Sequence, residues 1–460
     1  MSDTFANLEE LKAKAFADSD ARKRLTYLFD EGSFTELDAY ASVGGELTGV
    51  ITAFGYVDGN PVYAFSQDIS VKNGAMTEAQ SRKISKVYDL AAKTGVPVVA
   101  VYDSFGAYVS DGSKALSAYG KLLAQTSNLS GVVLQIAVVA GTCAGCAAML
   151  AQTADITIMA EGASMFVAVN SDDESSAKKA AANGTAAVIC ADDKSAMETA
   201  AKLLSKLPQN NLSPAPMYEF AEPETVYAED AESAAKAIAD ADSVIELFAE
   251  FGKASYTSFA SVNGAAVGIA ATNKTKDKLT ADDCTKIAKF VRLCDSFSVP
   301  VITLVDTEGF ESDEKTEAQG AVRAMSKLCH AYAEATTVKI SVVTGKAYGP
   351  AFIALAGKGA NADLSYALSS AIISALAPVT AVEFMEHDEL KGAEDLSVKR
   401  AELAIRFEKT EASAANAAAN GIIDGIAESS QLRKLIIDSL DILAGKRVSR
   451  LPKKHSNIQL

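Results

Sequence analysis

The residues best placed to do chemistry lie in two glycine turns of similar composition. The first, Ile136 to Met149, reads IAVVAGTCAGCAAM. A β-branched run stops at Gly141, the small residues Cys143, Ala144, Gly145, Cys146 and Ala147 follow, and a helix-compatible run continues to Leu150. The second, Ile340 to Leu355, reads ISVVTGKAYGPAFIAL, with Gly345 and Gly349 each 204 positions after Gly141 and Gly145. A strand that turns through glycine into a helix leaves unpaired N–H groups at the helix's positive end. Such amides can hold a developing oxyanion. Close packing at a buried strand–helix corner would explain either turn alone. Two copies at matching places favour a shared task.

Side-chain chemistry is sparse elsewhere. Of the six cysteines only Cys143 and Cys146 form a C-x-x-C, and a four-thiolate zinc site needs a second pair. Small buried thiols in a reducing compartment are the simpler reading of that motif, with a redox pair as the alternative. Three histidines (His330, His387, His455) leave little material for Ser-His-Asp catalysis. A net charge of −16 argues against general binding of nucleic acid or of anionic membrane surfaces. Arg22, Lys23 and Arg24 form one basic cluster, either an ordinary solvated helix face or a phosphate contact. The acidic, amphipathic start of the chain does not read as a signal peptide, and no run suits a membrane span. The expectation is a soluble, cytoplasmic protein.

Alternating strand and helix patterns must position the two turns. Helical periodicity covers residues 1–31. Alternating runs from Leu47 flank a turn at Asp58-Gly59-Asn60-Pro61, which predicts a hairpin. A helix over 76–93 presents Ile84, Val87, Tyr88 and Ala91 on one face. A buried strand over 97–102 runs into Asp103-Ser104-Phe105-Gly106, a loop that could face a cleft. A helix (113–127), the central strand (132–140), the first turn and a strand pair (156–167) follow. Residues 171–186 read as polar surface, and a strand and helix close at Pro208. Pro214, Pro216 and Pro223 mark a linker over 212–226.

The order then restarts. KASYTSFASVNGAAVGIAATN repeats the hairpin, Ala281 to Phe297 the helix, and VPVITLVDTEGF repeats VPVVAVYDSFGA with Asp306 answering Asp103. A charged helical stretch (386–416), a short strand in NGIIDGIA, a helix over 430–444 and an extended tail complete the chain. Internal duplication of this length predicts two domains of one topology, 1–225 and 226–460. Alternating strands and helices make them α/β, with ligands at the strand C-terminal ends.

LFDEGSF, the DGNPV hairpin, KTGVPVVAVYDSFGA, GTCAGCAA, LLSKLPQNN, AYAEATTVKISVVTGKAYG, NADL and the closing LPKKHSNIQL together carry a resemblance. The chain resembles the carboxyltransferase subunits of biotin-dependent acyl-CoA carboxylases and sodium-translocating acyl-CoA decarboxylases, and the likeness runs nearly end to end. It implies two tandem crotonase-like ββα-spiral domains, related by internal duplication. It implies transfer of a carboxyl group between biotin, held on a separate carrier chain, and the α-carbon of a short acyl-CoA. Both partners pass through enolate-like anions, so each needs an oxyanion hole and no acid–base side chain. By position these holes are Gly145 and Cys146, with Ala147, for the thioester, and Gly349 and Ala351 for biotin. Ser104, Phe105, Gly106, Tyr348 and Pro350 then line the substrates. The partners implied are an acyl-CoA, a biotin carboxyl carrier protein, a biotin carboxylase or membrane decarboxylase subunit, and further copies of this chain in a hexamer. No metal is expected.

The departures from the family pattern concentrate at the turns. Cys146 and Pro350 stand where the family places glycine; cysteine keeps its N–H and proline has none. The DSFGAY loop carries Phe105 and Tyr108 in place of a small and a basic residue, and GFESD at 309–313 replaces a GFLPG-like loop. AATNKTK lacks the usual glutamine–proline. The sequence holds no A-M-K-M biotin site and no phosphate-cradling G-x-x-x-x-G-K-S/T. Two other readings stay open. One is a divergent structural paralogue that binds CoA without transferring carboxyl groups. The other is a crotonase-type hydrolase or isomerase, for which Asp103 and Asp111 are available carboxylates.

Overall fold

The structure is a computed structural model that describes residues 8–43, 45–168 and 175–457. It divides into two compact units, Met1–Pro216 and Met217–Leu460.

In unit 1 the strands are β1 (Thr35–Leu37), the small ribbon β2 (Ser42–Val43) and β3 (Glu46–Leu47), β4 (Val50–Val57), β5 (Asn60–Gln67), β6 (Val98–Ser104), β7 (Gln135–Ala144), β8 (Ile156–Ala160), β9 (Ser164–Phe166) and β10 (Val188–Cys190). The main sheet runs β1-β4-β5-β6-β7-β8-β10, with β9 added to the end of β7. β4 and β5 form the antiparallel hairpin, and every pairing from β5 through β10 is parallel. Parallel strands need crossovers, and the helices Glu78–Thr94 and Ser113–Leu129 supply two of them. The first is held at its start by the Thr77 hydroxyl, which accepts the Gln80 N–H, and is closed by Gly95 in the left-handed conformation. Its Ile84, Val87, Tyr88 and Ala91 are buried, the face that the sequence periodicity selects. β6 is buried along its whole length, because helices cover both faces of such a sheet.

Unit 2 repeats this plan: β11 (Ile245–Leu247), β12 (Ser255–Val262), β13 (Ala265–Thr272), β14 (Val301–Thr307), β15 (Lys339–Tyr348), β16 (Leu364–Leu368), β17 (Ile372–Ser374) and β18 (Gly425–Ala427). The order β11-β12-β13-β14-β15-β16-β18, with β17 on β15, matches unit 1 strand for strand.

Several local expectations are refined. β7 does not stop at Gly141 but continues to Ala144, and β15 likewise continues to Tyr348. The strand pair at 156–167 is present as β8 and β9, each paired with β7. Ala177–Ala182 is a helix whose Ala177, Ala180 and Ala181 are buried, so the stretch is not merely polar surface. Residues 171–174 of that stretch, and the last three residues of the closing motif, lie outside the described residues. The charged segment after residue 386 is three helices, His387–Lys391, Leu396–Lys409 and Ala414–Ala419.

Candidate active-site corners

Each central strand reaches its corner through a bulge. Beside β6, the pairing of β7 passes from Tyr102↔Val139 directly to Ser104↔Cys143, so three residues of β7 stand opposite the single Asp103. In unit 2, Val305↔Val343 is followed by Thr307↔Ala347, and the three residues of β15 face Asp306. The aspartates organise both bulges. Asp103 Oδ1 accepts the Thr142 N–H at 3.1 Å, and Asp306 Oδ1 accepts the Lys346 N–H at 2.8 Å. The carboxylates lie so close that a Cβ on Gly141 or Gly345 would fall 2.3 Å from Asp103 Oδ1 or Asp306 Cγ. Glycine at 141 and 345 therefore makes room for a carboxylate rather than turning the chain.

The turns come four residues later. Gly145 has φ +60° and ψ −125°, a region open to glycine and closed to L side chains. Gly349 has φ +46°, and a Cβ there would also meet the Ala375 carbonyl at 2.8 Å. Gly145 does not serve as a free donor: its N–H is spent on the Phe166 carbonyl at 2.8 Å. The next amides, those of Cys146 and Ala147, open the helix Cys146–Ala151 and have no acceptor within it. In unit 2 the corresponding helix is Gly349–Leu355. Pro350 occupies its first turn and removes one amide, while Ala351 retains its own.

A second source of donors, missed by the sequence reading, is the loop after the neighbouring strand. Phe105 N–H bonds Asn73 O (3.2 Å), Gly106 N–H bonds the Ser104 hydroxyl (3.1 Å) and Tyr108 N–H bonds Met76 O (3.0 Å). Ala107 N–H, between them, has no acceptor among the described residues. The loop lies against the end of β7, since a Cβ on Gly106 would come within 2.9 Å of Ala144 O. Unit 2 repeats the pattern. Gly309 N–H bonds the Thr307 hydroxyl (3.2 Å), and Glu311 N–H bonds Leu279 O (2.9 Å). Phe310 N–H is left without an acceptor among the described residues. The signal lay in the repeat, because Ala107 and Phe310 follow Asp103 and Asp306 by the same interval.

The remaining candidates fall into place around these amides. Ser104 and Gly106 are buried and hold the loop together; Ala147 is buried under the first corner. Phe105 projects from the loop, 58% exposed. Its counterpart is Glu308, whose carboxylate bonds Lys346 Nζ at 2.7 Å and is thereby held below the usual carboxylate range. Tyr348 is buried, and burial together with Glu408, Glu308 and Asp306 pushes its phenol up. Pro350 is exposed.

Cys143 is buried, and desolvation with the charge of Asp103 pushes its thiol up, which disfavours a thiolate. Among the described residues no group of His, Cys, Asp and Glu is placed to hold a metal ion. No helix there is long and apolar enough to cross a membrane. The phosphate-contact reading of the 22–24 cluster does not hold for its arginines. Arg22 bonds Glu36 at 2.7 Å, and the buried Arg24 bonds Asp103 at 2.9 Å and Asp193 at 2.6 Å.

Two duplicated α/β sheets, each with a strand–glycine–helix corner, make a two-domain fold, and comparison with known proteins gives its class. Residues 18–458 match the model of the carboxyl transferase domain family, and the chain belongs to that family. It is 34% identical to the methylmalonyl-CoA decarboxylase subunit alpha of Propionigenium modestum, over 98% of this chain and 95% of that one. It is 35% identical to the methylmalonyl-CoA carboxyltransferase 12S subunit of Propionibacterium freudenreichii subsp. shermanii, over 95% and 91%. A transcarboxylase 12S crystal structure, described as a hexamer with methylmalonyl-coenzyme A and methylmalonic acid bound, superposes with a TM-score of 0.91. The two chains are 32% identical, with 98% of this one and 96% of that one covered. The resemblance drawn from the sequence motifs is thus borne out, as is the fold it implied.

Proposed function

We propose that this chain is the carboxyltransferase subunit of a multi-subunit acyl-CoA carboxylase or decarboxylase. It moves a carboxyl group between the α-carbon of a short acyl-CoA and biotin borne by a carrier chain. The observation that carries the reading is the pair of corners, each with loop and helix-start amides that have no acceptor among the described residues.

In unit 1, loss of the carboxyl group from the acyl-CoA places negative charge on the thioester oxygen. The Ala107, Cys146 and Ala147 amides are the donors available to that oxygen, and the Phe105 ring forms an apolar lip for the acyl chain. Fixed dipoles of this kind stabilise the anion without reorganising. Corner 2 fits a group that presents a carbonyl oxygen, with Phe310 and Ala351 as donors. When bound there, biotin supplies the ureido nitrogen that takes or gives the carboxyl group. Assembly as a hexamer and residence in the cytoplasm belong to the same reading.

The test is biotin-dependent loss of the carboxyl group from malonyl-CoA, methylmalonyl-CoA and glutaconyl-CoA by the purified chain with free biotin. Turnover with one of them is expected. Pro350 in place of a donor favours a second reading, a structural paralogue. That reading gains if no ester turns over while calorimetry still detects CoA-ester binding.

A further inference from the structure

The aspartates Asp103 and Asp306 are prominent in the geometry, yet the reaction gives them no proton to move. Each reaches across from the neighbouring strand into the bulge that precedes its corner. Each accepts a backbone N–H, from Thr142 or Lys346, that the broken ladder would otherwise strand. Each fills space that only glycine leaves open. The same arrangement occurs in both units, though the groups holding the carboxylates differ. Asp103 Oδ2 is held by the buried Arg24 at 2.9 Å. Asp306 Oδ2 is held by the Asn273 amide at 2.6 Å, and the Asp306 N–H bonds the Thr272 hydroxyl at 2.7 Å. One acceptor geometry built from two sets of supports points to a shared requirement at the corner.

We propose that Asp103 and Asp306 are positioning residues, each pinning the strand end so that the amides past the glycine turn face the reacting oxygen. This rests on the carboxyltransferase reading above. Gly145 and Gly349 follow the pinned residues by three positions, so a shift of the bulge carries into the turn. A displacement near 1 Å at a catalytic group can cost about 100-fold in rate.

The supports predict an asymmetry. Asparagine in either position keeps an oxygen for the strand N–H but turns an NH2 toward the second partner. At 306 that partner is the Asn273 Nδ2, which also donates to the Glu229 carbonyl at 3.0 Å; the amide can turn over and present its oxygen only by giving up that exposed bond to water. At 103 it is the Arg24 guanidinium, which has only donors. Asp306→Asn should therefore lower kcat by about tenfold at most, while Asp103→Asn should lower kcat about 100-fold with the KM for acyl-CoA little changed. Arg24→Gln, which can offer an oxygen, should restore at least tenfold of the loss in the Asp103→Asn background.

Hydrogen exchange gives a readout independent of turnover. The Thr142 amide should exchange about 100-fold faster in Asp103→Asn and slow again in the double variant. The Lys346 amide should be unchanged in Asp306→Asn and accelerated in Asp306→Ala. Equal behaviour of the two asparagine variants, no rescue by Arg24→Gln, or unchanged Thr142 exchange would overturn the proposal. A wild-type chain without biotin-dependent turnover would instead count against the carboxyltransferase reading, and the exchange pattern would still decide the positioning role.

Discussion

Pro350 holds in the second corner the place that Cys146 holds in the first, one residue past a glycine of positive φ. The first corner thus has an amide at that position and the second has none. Proline is comfortable in a first helical turn, so the exchange costs the fold little. Its effect falls on the number of donors.

Replacing Pro350 by glycine returns an amide to the second corner. The expected outcome is a kcat for biotin-dependent carboxyl loss equal to or above that of the wild type, since one oxyanion donor is worth about 2.7–4 kcal/mol in the barrier. Steady-state kinetics with free biotin would show it. A tenfold fall would mean that the corner is built around the proline.

The thiol of Cys146 has no part in the proposed chemistry, only the backbone. Cys146→Ala should keep kcat within about twofold, while Cys146→Pro should lower it by about 100- to 1,000-fold, with the oligomeric state unchanged by light scattering. If alanine abolished activity, the C-x-x-C would return as a redox or nucleophilic motif.

Phe105 projects beside the first corner where the second has the Glu308–Lys346 pair. Trimming it to alanine should raise kcat/KM for a longer acyl-CoA relative to the preferred one by about 10-fold or more, the scale of a few methylenes in an apolar pocket. The ratio for paired substrates is the measurement. An unchanged ratio would place the acyl chain elsewhere.

Lys286 tests the scaffold rather than the site. It is buried, with Nζ donating to Ser255 O at 2.7 Å and Gly252 O at 3.2 Å. Burial, helped by the charge of Lys274, lowers its pKa to about 7. The folded state then binds fewer protons than the unfolded chain above pH 7, so stability rises with pH until the unfolded lysine titrates. Lys339, lowered to about 8 by burial and Lys446, adds the same sign. The buried thiols of Cys143, Cys284 and Cys294, pushed up by burial, act with the opposite sign as the unfolded thiols ionise. The lysine contribution, at most about 1.4 kcal/mol per pH unit per lysine, is therefore read from denaturant titrations of wild type against Lys286→Met between about pH 7 and 8.5. The slope should fall in Lys286→Met. An unchanged slope in Lys286→Met would refute the assignment.

Much of this protein is written in its sequence. The apolar runs, the Asp58-Gly59 hairpin turn and the helix face of Ile84, Val87, Tyr88 and Ala91 are local patterns set by side-chain periodicity and turn chemistry. Repeated along the chain, they disclose the duplication and the α/β class. The matching positions of Gly145 and Gly349 mark both corners in the sequence itself. Tertiary structure decided what the local pattern could not hold. Gly141 and Gly345 read as turns because glycine breaks strands, yet they lie within strands. Their meaning depends on Asp103 and Asp306, carboxylates brought alongside by parallel pairing from tens of residues away. Arg24 read as a surface charge until folding set it against Asp103 and Asp193. Which amide is free is likewise a property of the assembled sheet: the Phe166 carbonyl takes the Gly145 N–H, and pairing with Met76 takes both neighbours of Ala107 and leaves its N–H outward. A sequence names the donors a chain owns; only the fold determines which of them remain unspent.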